Sequence, residues 1–479
     1  MADNKEFISE RTKNGQEYFH FIGIGGIGMS ALALCLINRG FKISGSDIQS
    51  NPNIENLQRL GAQISIGHNA ANLKEAKLVI ASTAIKQDNP EIISAKENNI
   101  PIIHRSQLLE ALMSGLGQEQ KPVSIGVSGT HGKTTTSGMA GMIFEYAKLD
   151  PSIVVGGMIP ALNTNSKFGS GRHIISELDE SDGTIAIYKP TYTIITNLEK
   201  DHVDHYEDGL QQVLETFEGF ISRLDENSKI IVNIDDSGVL KLLDAVKFEN
   251  IITYSANESS KADFIAKNIV TNGFQTTFDA CKNGEILGKV TLSIPGLHNV
   301  SNSLSAIAVA LDCGIDFQTI TESLKTFTGM KRRFQLIYDT NSIKVVDDYA
   351  HHPTEVLATL KSADELKSKG LVNRVIVIFQ PHRYSRLHGL WEDFKTCFQF
   401  TDKVFITEVY PAGESPIEGF NAKDFCEETG FTYAQGSFDE VLEQVYPYIK
   451  EGDIVLGLGA GSITKLTAKI VDRLKNERY

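Results

Sequence analysis

The chain has few cysteines and no long apolar run, and each absence excludes a class of protein. Its five cysteines are scattered and form no CxxC pair, which argues against a disulfide framework or a zinc site. No apolar run reaches the roughly 18 residues of a membrane span, and residues 1–17 are polar, without the apolar core of a signal peptide. We therefore expect a cytoplasmic protein with reduced thiols, with no membrane partner.

An excess of positive charge is also missing. The 46 basic residues are outnumbered by 60 acidic ones, for a net charge of −14. This balance argues against general affinity for nucleic acid or anionic membranes. With 479 residues the chain is too long for one hydrophobic core, and its length suggests about three domains. Composition leaves the oligomeric state open between a monomer and a weak homodimer.

Short β-rich runs alternate with helical stretches along the chain, a pattern typical of parallel sheets covered by helices. We predict an α/β protein with a Rossmann-like domain at 1–120, a central P-loop ATPase-like domain at 121–331, and a C-terminal Rossmann-like domain at 332–479. The predicted strands are 18–22, 41–45, 63–66, 78–81, 101–103, 123–127, 173–176, 191–196, 229–233, 251–254, 342–346, 374–379, 403–407 and 453–456.

A phosphate-binding loop follows the strand at 123–127. The sequence GVSGTHGKTTT at 126–136 leads into a predicted helix. Its glycines let backbone N–H groups surround phosphate oxygens, and the helix directs its positive end at them. Lys133 supplies a charge for the β- and γ-phosphates, and the hydroxyl of Thr134 can ligate Mg²⁺. The glycine spacing departs from GxxxxGK[ST], because Val127 stands where the first glycine is usual. The order of elements favours an ATP site over a glycine-rich helix cap.

A second glycine loop lies near the N-terminus. GIGGIG at 23–28 matches GxGxxG and precedes a helix predicted at 29–38. Asp47 ends the next strand, where an acid would meet a ribose hydroxyl. Alone, this loop favours a dinucleotide-dependent oxidoreductase, or close helix–strand packing that needs small residues. A dehydrogenase has no need of the second, ATP-type loop, whereas a UDP-sugar in the first domain and ATP in the second would use both.

Eleven short segments extend these two loops into a family pattern. In order they are GIGGIGMSALA (23–33), GSD (45–47), STAI (82–85), GTHGKTTT (129–136), ELDESD (177–182), TNLEKDHVDHY (196–206), PGLHNVSN (295–302), MKRRFQ (330–335), DDYAHHPTE (347–355), FQPHRYSR (379–386) and GLGAGSI (457–463). Through these segments the chain resembles, over essentially its whole length, the Mur ligases of bacterial cell-wall synthesis.

The resemblance implies an ATP-dependent amide ligation. ATP would phosphorylate the lactyl carboxylate of UDP-N-acetylmuramate, and an amine would displace phosphate from the acyl phosphate. FQPHRYSR implies L-alanine as the acceptor, and a recycling ligase that attaches a tripeptide is the alternative. The implied partners are UDP-N-acetylmuramate, L-alanine and ATP with one or two Mg²⁺ ions. A dehydrogenase with an accessory ATP site and a non-catalytic nucleotide-gated regulator are the less favoured hypotheses from other classes.

The resemblance also implies roles for individual residues. As catalytic residues it implies Lys133, Glu177, His202 and Arg386. As metal ligands it implies Thr134, Glu177 and His202. As ATP ligands it implies Gly129, Thr130, Gly132, Lys133, Thr134, Thr135, Asn299, Arg333, Asp348 and His351. No lysine lies between His202 and Arg223, so we expect no carbamylated lysine, although several relatives carry one there. Without the resemblance, Glu177 would be read as a surface acid in an acid-rich run.

The two remaining substrates have their own implied ligands. For the UDP-sugar these are Gly25, Gly26, Gly28, Met29, Ser30, Asp47, Ser82, Thr83, Ala84, Arg105 and His131. For the amino acid they are Tyr349, His382, Arg383 and Arg386. Arg383 and Arg386 lie three apart after a strand, a spacing that suits a bidentate clamp on a carboxylate. The third domain is expected to close over ATP and exclude water from the acyl phosphate.

Overall fold

The computed structural model describes residues 4–11, 18–73, 75–162, 164–180, 183–200, 209–340 and 342–477. Three β-sheets with flanking helices confirm the α/β class. By compactness the chain forms two units. The first comprises residues 1–266, 280–288 and 301–324, and the second comprises 267–279, 289–300 and 325–479. This division leaves the first sheet and most of the second in one unit, and the domain boundaries at 120 and 331 stay a prediction.

The first sheet has five parallel strands in the order β3-β2-β1-β4-β5. Its elements are α1 (Asn4–Arg11), β1 (Tyr18–Ile22), α2 (Ile27–Asn38), β2 (Lys42–Asp47), α3 (Pro52–Arg59), β3 (Gln63–Ile66), β4 (Ala76–Ala81), α4 (Pro90–Glu97), β5 (Ile102–His104) and α5 (Arg105–Met113). The strand order reverses at β1. β2 and β3 lie on one side of it, and from β3 the chain crosses to β4 on the other side. Open parallel sheets bind ligands at the carboxyl ends of strands at such a reversal.

The second sheet has ten strands in the order β15-β14-β13-β12-β11-β10-β6-β9-β7-β8. Its elements are β6 (Val123–Ser128), α6 (Lys133–Tyr146), β7 (Ser152–Ile159), β8 (Thr164–Lys167), β9 (His173–Glu177), β10 (Tyr192–Ile195), α7 (Leu210–Ile221), β11 (Lys229–Asn233), α8 (Ser237–Ala245), β12 (Ile251–Ser255), β13 (Phe264–Asn272), β14 (Gln275–Lys282), β15 (Glu285–Leu292), α9 (Leu297–Asp312) and α10 (Phe317–Thr326). Since β6 pairs in parallel with β9 and β10, the phosphate loop leaves the interior of the sheet.

Five strands of this sheet, β7, β8 and β13 to β15, were not among the predicted ones. β8 reads TNSK and has no apolar run. The sequence did contain a signal for the turn between β14 and β15, namely the pair Asn283-Gly284. Both residues have positive φ angles, of 49° and 87°. An Asn-Gly pair between alternating segments is a strong indicator of a hairpin. The prediction of purely parallel sheets was also incomplete, because β7 and β8 pair antiparallel.

The third sheet has six strands in the order β16-β17-β21-β18-β19-β20. Its elements are β16 (Gln335–Asp339), β17 (Ile343–Asp348), α11 (Pro353–Ser368), β18 (Arg374–Phe379), α12 (Tyr384–Gly389), α13 (Trp391–Thr396), β19 (Lys403–Ile406), α14 (Ala422–Thr429), β20 (Thr432–Tyr433), α15 (Phe438–Val445), β21 (Asp453–Leu458) and α16 (Thr464–Asn476). Only the edge strand β16 pairs antiparallel.

The apolar run of β18 follows from its place in this sheet. Val375, Val377 and Phe379 pack into one apolar cluster, and Ile376 and Ile378 pack into another. A strand buried on both faces needs apolar residues at successive positions rather than alternation. The segment after β18, which carries the predicted amino-acid ligands, therefore starts from a rigid central strand. Among the described helices, none has the length and apolar character to cross a membrane.

Candidate active site

The phosphate loop is held against the carboxyl end of β10. Thr130 donates its backbone N–H to the carbonyl of Asn197 at 2.9 Å, and His131 donates its own to the Asn197 side chain at 2.8 Å. Gly129 has a φ of 121°, and a Cβ there would lie 2.8 Å from the Asn197 carbonyl oxygen. Only glycine permits this backbone conformation together with this close approach. Loop and strand end therefore form one rigid cradle.

Lys133 lies inside the cradle. Its ammonium donates to the carbonyl oxygens of Gly129 at 2.6 Å and Thr130 at 3.1 Å, and to Oε1 of Glu180 at 2.7 Å. Glu180 is only 2% exposed. Burial raises the pKa of Glu180 to about 7, although the Lys133 ammonium opposes that rise. Burial alone would lower the pKa of Lys133, but Glu180 and Glu177 outweigh it and raise that pKa.

Thr134 and Glu177 form an all-oxygen pair beside this lysine. The Thr134 hydroxyl lies 3.1 Å from both carboxylate oxygens of Glu177, and Glu177 Oε2 also accepts the N–H of Gly156 at 2.8 Å. Neighbouring ligands of an octahedral Mg²⁺, each about 2.1 Å from the ion, are about 3 Å apart. The donor type and the spacing therefore fit Mg²⁺. His202, the remaining predicted ligand, lies outside the described residues, and Thr135 is buried in the first turn of α6.

The N-terminal glycine loop is fixed to the end of β2. Gly25 donates its N–H to Asp47 Oδ2 at 2.8 Å, and its carbonyl accepts from the side chains of Asn51 and Asn53, each at 3.1 Å. A Cβ on Gly25 would lie 2.5 Å from Asn51 Nδ2 and 2.9 Å from Asp47 Oδ2. A Cβ here would displace the Asn51 and Asp47 side chains that hold the loop. Asp47, the predicted ribose ligand, thus also holds the loop backbone.

A cleft of about 360 Å³ within the first compact unit extends from the N-terminal glycine loop to Glu177, which contacts Thr134 after the phosphate loop. It is lined by Gly26, Ile27, Gly28, Met29, Leu32, Ser82, Arg105, Leu109, Val154, Val155, Gly156, Glu177 and Asp179. Arg105 and Asp179 both line the cleft, and Nη2 of Arg105 lies 2.6 Å from Oδ2 of Asp179. Five predicted UDP-sugar ligands thus share one cavity with the predicted metal ligand Glu177. Thr83 and Ala84 follow Ser82 in a turn, and Ser30 is buried, with its hydroxyl bound to the Ile27 carbonyl.

His131 is part of the phosphate loop, between Thr130 and Gly132. Its carbonyl accepts from the Thr196 hydroxyl at 2.6 Å and the Asn197 amide at 3.0 Å, and its Nε2 lies 3.6 Å from a carboxylate oxygen of Glu199. These contacts orient the imidazole. They do not by themselves place it against a sugar, and its assignment to UDP-sugar binding stays a prediction.

Predicted nucleotide ligands gather in the second unit around the end of β17. Asp348 is buried and accepts the backbone N–H groups of Phe334 and Ala350, each at 2.6 Å. Burial raises the pKa of Asp348 to about 6, against the pull of the Arg333 guanidinium. The guanidinium carbons of Arg332 and Arg333 lie 4.9 and 5.3 Å from the ring centre of Tyr349. Asp348 therefore fixes the arginine-bearing turn, in addition to the ribose contact predicted for it.

Two further nucleotide candidates are also held by their neighbours. His351 Nδ1 lies 3.0 Å from the Tyr349 carbonyl oxygen and 3.1 Å from a carboxylate oxygen of Glu355. Glu355 lies 3.4 Å from Arg333 as well. Asn299 is buried, and its amide donates to the Pro295 carbonyl at 2.7 Å. Contacts within the protein therefore orient these side chains.

The predicted amino-acid ligands cluster after β18. His382 stacks on Tyr410 with ring centres 5.5 Å apart and lies 3.4 Å from Nη1 of Arg386. Burial lowers the pKa of His382 to about 4, and the nearby His351, Arg386 and Arg383 lower it further. The neutral imidazole is therefore able to accept from Arg386. Arg383 lies 3.8 Å from Oε1 of Glu414, and it has a φ of 67°.

Several residues of these sites were not singled out from the sequence. They are Asn51, Asn53, Asp179, Glu180, Asn197, Tyr410 and Glu414. For Asp179 and Glu180 a signal existed, because both lie in the ELDESD run, in which only Glu177 was assigned a role. For Tyr410 and Glu414 no local signal existed. They reach the arginines only through the pairing of β18 with β19.

Comparisons with known proteins agree with this arrangement. Residues 18–116 match the model of the Mur ligase family catalytic domain, 127–310 that of the Mur ligase middle domain, and 332–461 that of the Mur ligase glutamate ligase domain. The chain is 40% identical over 467 residues to the UDP-N-acetylmuramate–L-alanine ligase of Pelobacter propionicus, covering 96% of this chain and 98% of the relative. It is also 40% identical to the ligase of the same name from Aquifex aeolicus, covering 98% and 100%.

Solved structures show the same similarity. The UDP-N-acetylmuramate–alanine ligase of Thermotoga maritima has a TM-score of 0.79 and 29% identity, over 96% of this chain and 100% of that one. A murein peptide ligase of Psychrobacter arcticus has a TM-score of 0.68 and 25% identity, over 96% and 99%. The relatives therefore match all three sheets at nearly full length.

Proposed function

The chain belongs to the Mur ligase family, and we propose that it joins L-alanine to the lactyl carboxylate of UDP-N-acetylmuramate at the expense of ATP. Full-length relatives with this activity in their names support the proposal. The observation that carries it is the cleft in which the N-terminal glycine loop and Arg105 face Glu177, beside the Lys133 loop. A nucleotide-sugar site that opens onto Glu177, which contacts Thr134 beside the phosphate loop, suits a ligase that activates a carboxylate.

The first half of the reaction is phosphoryl transfer. The loop at Gly129–Gly132 cradles the triphosphate with backbone N–H groups, and Lys133 faces its terminal phosphates. Thr134 and Glu177 would hold Mg²⁺, with His202 as a further ligand proposed from the family. The bound ion would neutralise charge on the phosphates. Arg105, at the opposite wall of the cleft, orients the anionic part of the UDP-sugar so that its carboxylate meets the γ-phosphate.

The second half is amide formation. The alanine amine attacks the carbonyl carbon of the acyl phosphate, and the tetrahedral intermediate collapses. Phosphate leaves with the C–O bond electrons, and the nitrogen releases one proton to solvent. Arg383 and Arg386 would bind the alanine carboxylate, because guanidinium groups match carboxylates bidentately. His382, neutral at physiological pH, orients Arg386 without adding a proton to the site. Positioning and charge neutralisation therefore supply the catalysis, without a covalent nucleophile.

The proposal also covers the domain boundaries, the location of the enzyme and the remaining ATP ligands. We place the domain boundaries at 1–120, 121–331 and 332–479, in agreement with the segments that the three family models match. We place the enzyme in the cytoplasm, where ATP is available. The assignments of Asn299, Arg333, Asp348 and His351 to ATP rest on the family motifs in which they stand.

Release of ADP tests the proposed reaction. We expect ADP and phosphate only when UDP-N-acetylmuramate and L-alanine are both present. Equal ADP release without either substrate would refute the ligase. A matched assay with the tripeptide in place of L-alanine separates this activity from that of a recycling ligase, and faster turnover with the tripeptide would favour the latter.

Arg386→Ala tests the carboxylate clamp. Loss of one guanidinium of a bidentate pair should raise the KM for L-alanine by about tenfold or more, since a charged hydrogen bond contributes about 1.5–3 kcal/mol. The KM values for ATP and UDP-N-acetylmuramate should change little. Steady-state kinetics with each substrate varied in turn measure all three, and an unchanged KM for alanine removes Arg386 from the clamp.

A further inference from the structure

We propose that Glu180 is a positioning residue of the phosphate loop, which holds the Lys133 ammonium in the nucleotide-free enzyme and yields it to a phosphate of ATP. The inference rests on the proposed function only in taking the loop as a nucleotide site. It concerns a residue to which neither the family motifs nor the comparisons give a role.

The hydrogen bonds of Lys133 leave no donor for a ligand. An ammonium group has three donors, and the Lys133 ammonium has three acceptors between 2.6 and 3.1 Å, namely the carbonyls of Gly129 and Thr130 and Oε1 of Glu180. A phosphate oxygen can therefore reach this ammonium only if one of the three bonds is broken. The Glu180 carboxylate thus binds the Lys133 ammonium at the position where a phosphate of the nucleotide would bind.

Glu180 is the acceptor that a phosphate can replace. The two carbonyls belong to the loop backbone, which Asn197 holds in place. The negatively charged carboxylate belongs instead to a side chain that follows β9, so rotation about its side-chain bonds can withdraw it without moving the loop backbone. A phosphate offers the ammonium the same kind of charged acceptor, so exchange of one for the other preserves the ion pair.

The fold buries Glu180 and holds it in place beside Lys133. It is 2% exposed, and Ser128, at the end of β6, donates its hydroxyl to Oε2 at 3.4 Å. The backbone carbonyl of Glu180 accepts the N–H of Gly183 at 3.0 Å. Burial of a carboxylate is costly unless it is paired, and Lys133 is the cation that pairs it here. A solvated surface acid would have none of these features.

The neighbouring acids bind other groups. Asp179 pairs with Arg105 at 2.6 Å, and Glu177 contacts the hydroxyl of Thr134 at 3.1 Å. Three acids within four residues thus face three different functional groups. The role proposed for Glu180 is therefore specific to Lys133 and is not a general effect of an acidic run.

The exchange has a measurable consequence for nucleotide affinity. A nucleotide must displace the Glu180 carboxylate and then lie near it, and both requirements weaken its binding. In Glu180→Gln the neutral amide oxygen still accepts a hydrogen bond from Lys133. It competes with the phosphates for this ammonium less strongly than a carboxylate does, and it does not repel them by charge. We expect the dissociation constant of the nonhydrolysable analogue AMPPNP, with Mg²⁺, to fall about five- to tenfold. We also expect the unfolding temperature of the nucleotide-free protein to fall, because Lys133 has lost its counter-ion.

Isothermal titration calorimetry on the full chain and thermal unfolding without nucleotide measure the two effects. Asp225→Asn is the matched control, since it removes the exposed partner of Lys121 and should change neither quantity. UDP-N-acetylmuramate affinity verifies the fold of each variant. A purely structural Glu180 would give unchanged or weaker AMPPNP binding together with lower stability, and that result would overturn the inference. No turnover is needed, so failure of the ligase assay and failure of this test are distinguishable.

A second measurement covers the case in which Glu180→Gln does not fold. The carboxylate ¹³C signal of Glu180 in the unaltered chain, assigned through its loss in the charge-preserving variant Glu180→Asp, reports the ion pair directly. Addition of AMPPNP with Mg²⁺ should shift this signal as the carboxylate leaves Lys133. A signal that does not move on saturation with nucleotide refutes the exchange.

Discussion

Two carboxylates that are predicted to bind substrates also hold the protein backbone. Asp47, the predicted ribose ligand, binds the N–H of Gly25, and Asp348 binds those of Phe334 and Ala350. Such carboxylates fix a loop in place before a ligand arrives, and this lowers the entropy cost of binding. The consequence is that changes at the backbone partner should appear as changes in substrate affinity.

Gly25→Ala tests this consequence in the first sheet. The added Cβ would lie 2.5 Å from Asn51 Nδ2 and 2.9 Å from Asp47 Oδ2, so the loop has to move. We expect the KM for UDP-N-acetylmuramate to rise about tenfold, the effect of roughly 1.4 kcal/mol, while the KM for ATP stays the same. Gly219→Ala is the control, because this glycine lies in α7 with open space around its Cβ position. An unchanged KM for the UDP-sugar would show that the loop does not bind it.

The lowered pKa of His382 predicts that the stability of the folded protein depends on pH. Burial, with His351, Arg386 and Arg383 nearby, lowers its pKa to about 4 from an ordinary 6.5. Between these values the unfolded chain binds more protons than the folded one, so this residue makes stability rise with pH from about 4 to 6.5 and remain level above that. In His382→Asn the unfolding temperature should therefore decrease less steeply as the pH is lowered through this range. Thermal unfolding of both proteins across the range measures the two slopes, and equal slopes would contradict the lowered pKa.

At the scale of elements, the proposed ATP site depends on the loop between β6 and α6. β6 lies between β9 and β10, so its end cannot shift without disturbing two neighbours. The loop that follows is bound to residues just beyond β10. This rigidity explains why the loop can be organised without a ligand.

Gly129→Ala should disrupt this loop. The φ of 121° is unfavourable for alanine, and the Cβ would lie 2.8 Å from the Asn197 carbonyl oxygen. We expect ATP affinity to fall at least about tenfold, with UDP-N-acetylmuramate affinity retained. Calorimetric titration of each ligand separately measures the two effects, with Gly219→Ala again as the control. Parallel loss of both affinities would instead indicate general unfolding of the unit.

At the scale of the whole molecule, binding of the two nucleotides is assigned to different sheets. The UDP-sugar loop follows β1, and the ATP loop follows β6. Both loops belong to the first compact unit, whereas the predicted alanine ligands belong to the second. The substrates therefore have separate binding determinants along the chain.

Lys133→Ala tests this separation. Product formation should be lost, because no charge then faces the terminal phosphates, while UDP-N-acetylmuramate affinity should stay within about twofold. The variant Lys121→Ala, which removes an exposed lysine paired with Asp225, should keep full activity. Product assays and direct UDP-sugar titration provide the measurements. A large loss of UDP-sugar affinity in Lys133→Ala would show that the two sites are not independent.

The agreement between sequence and structure depends on how local each feature is. Most predicted strands appear with shifts of one or two residues, because apolar runs flanked by polar turns are local signals. The predicted helix at 29–38 begins instead at Ile27, and the one at 137–146 begins at Lys133. β8 and the strands β13 to β15 were missed, since β8 is polar and the others carry mixed, half-exposed patterns. Their stability comes from pairing, which no single segment encodes.

The sequence by itself determined the two glycine loops, Lys133, Thr134 and the family motifs, because each of these is contiguous in the chain and its chemistry follows from neighbours in sequence. Only the tertiary structure decided the pairing of Lys133 with Glu180, of Arg105 with Asp179, and of His382 with Tyr410. The members of each pair lie far apart in the chain. Strand order brings Lys133 to Glu180 and His382 to Tyr410, whereas packing between the first and second sheets' layers brings Arg105 to Asp179. Such contacts depend on sheet topology, and spacing along the chain does not predict them.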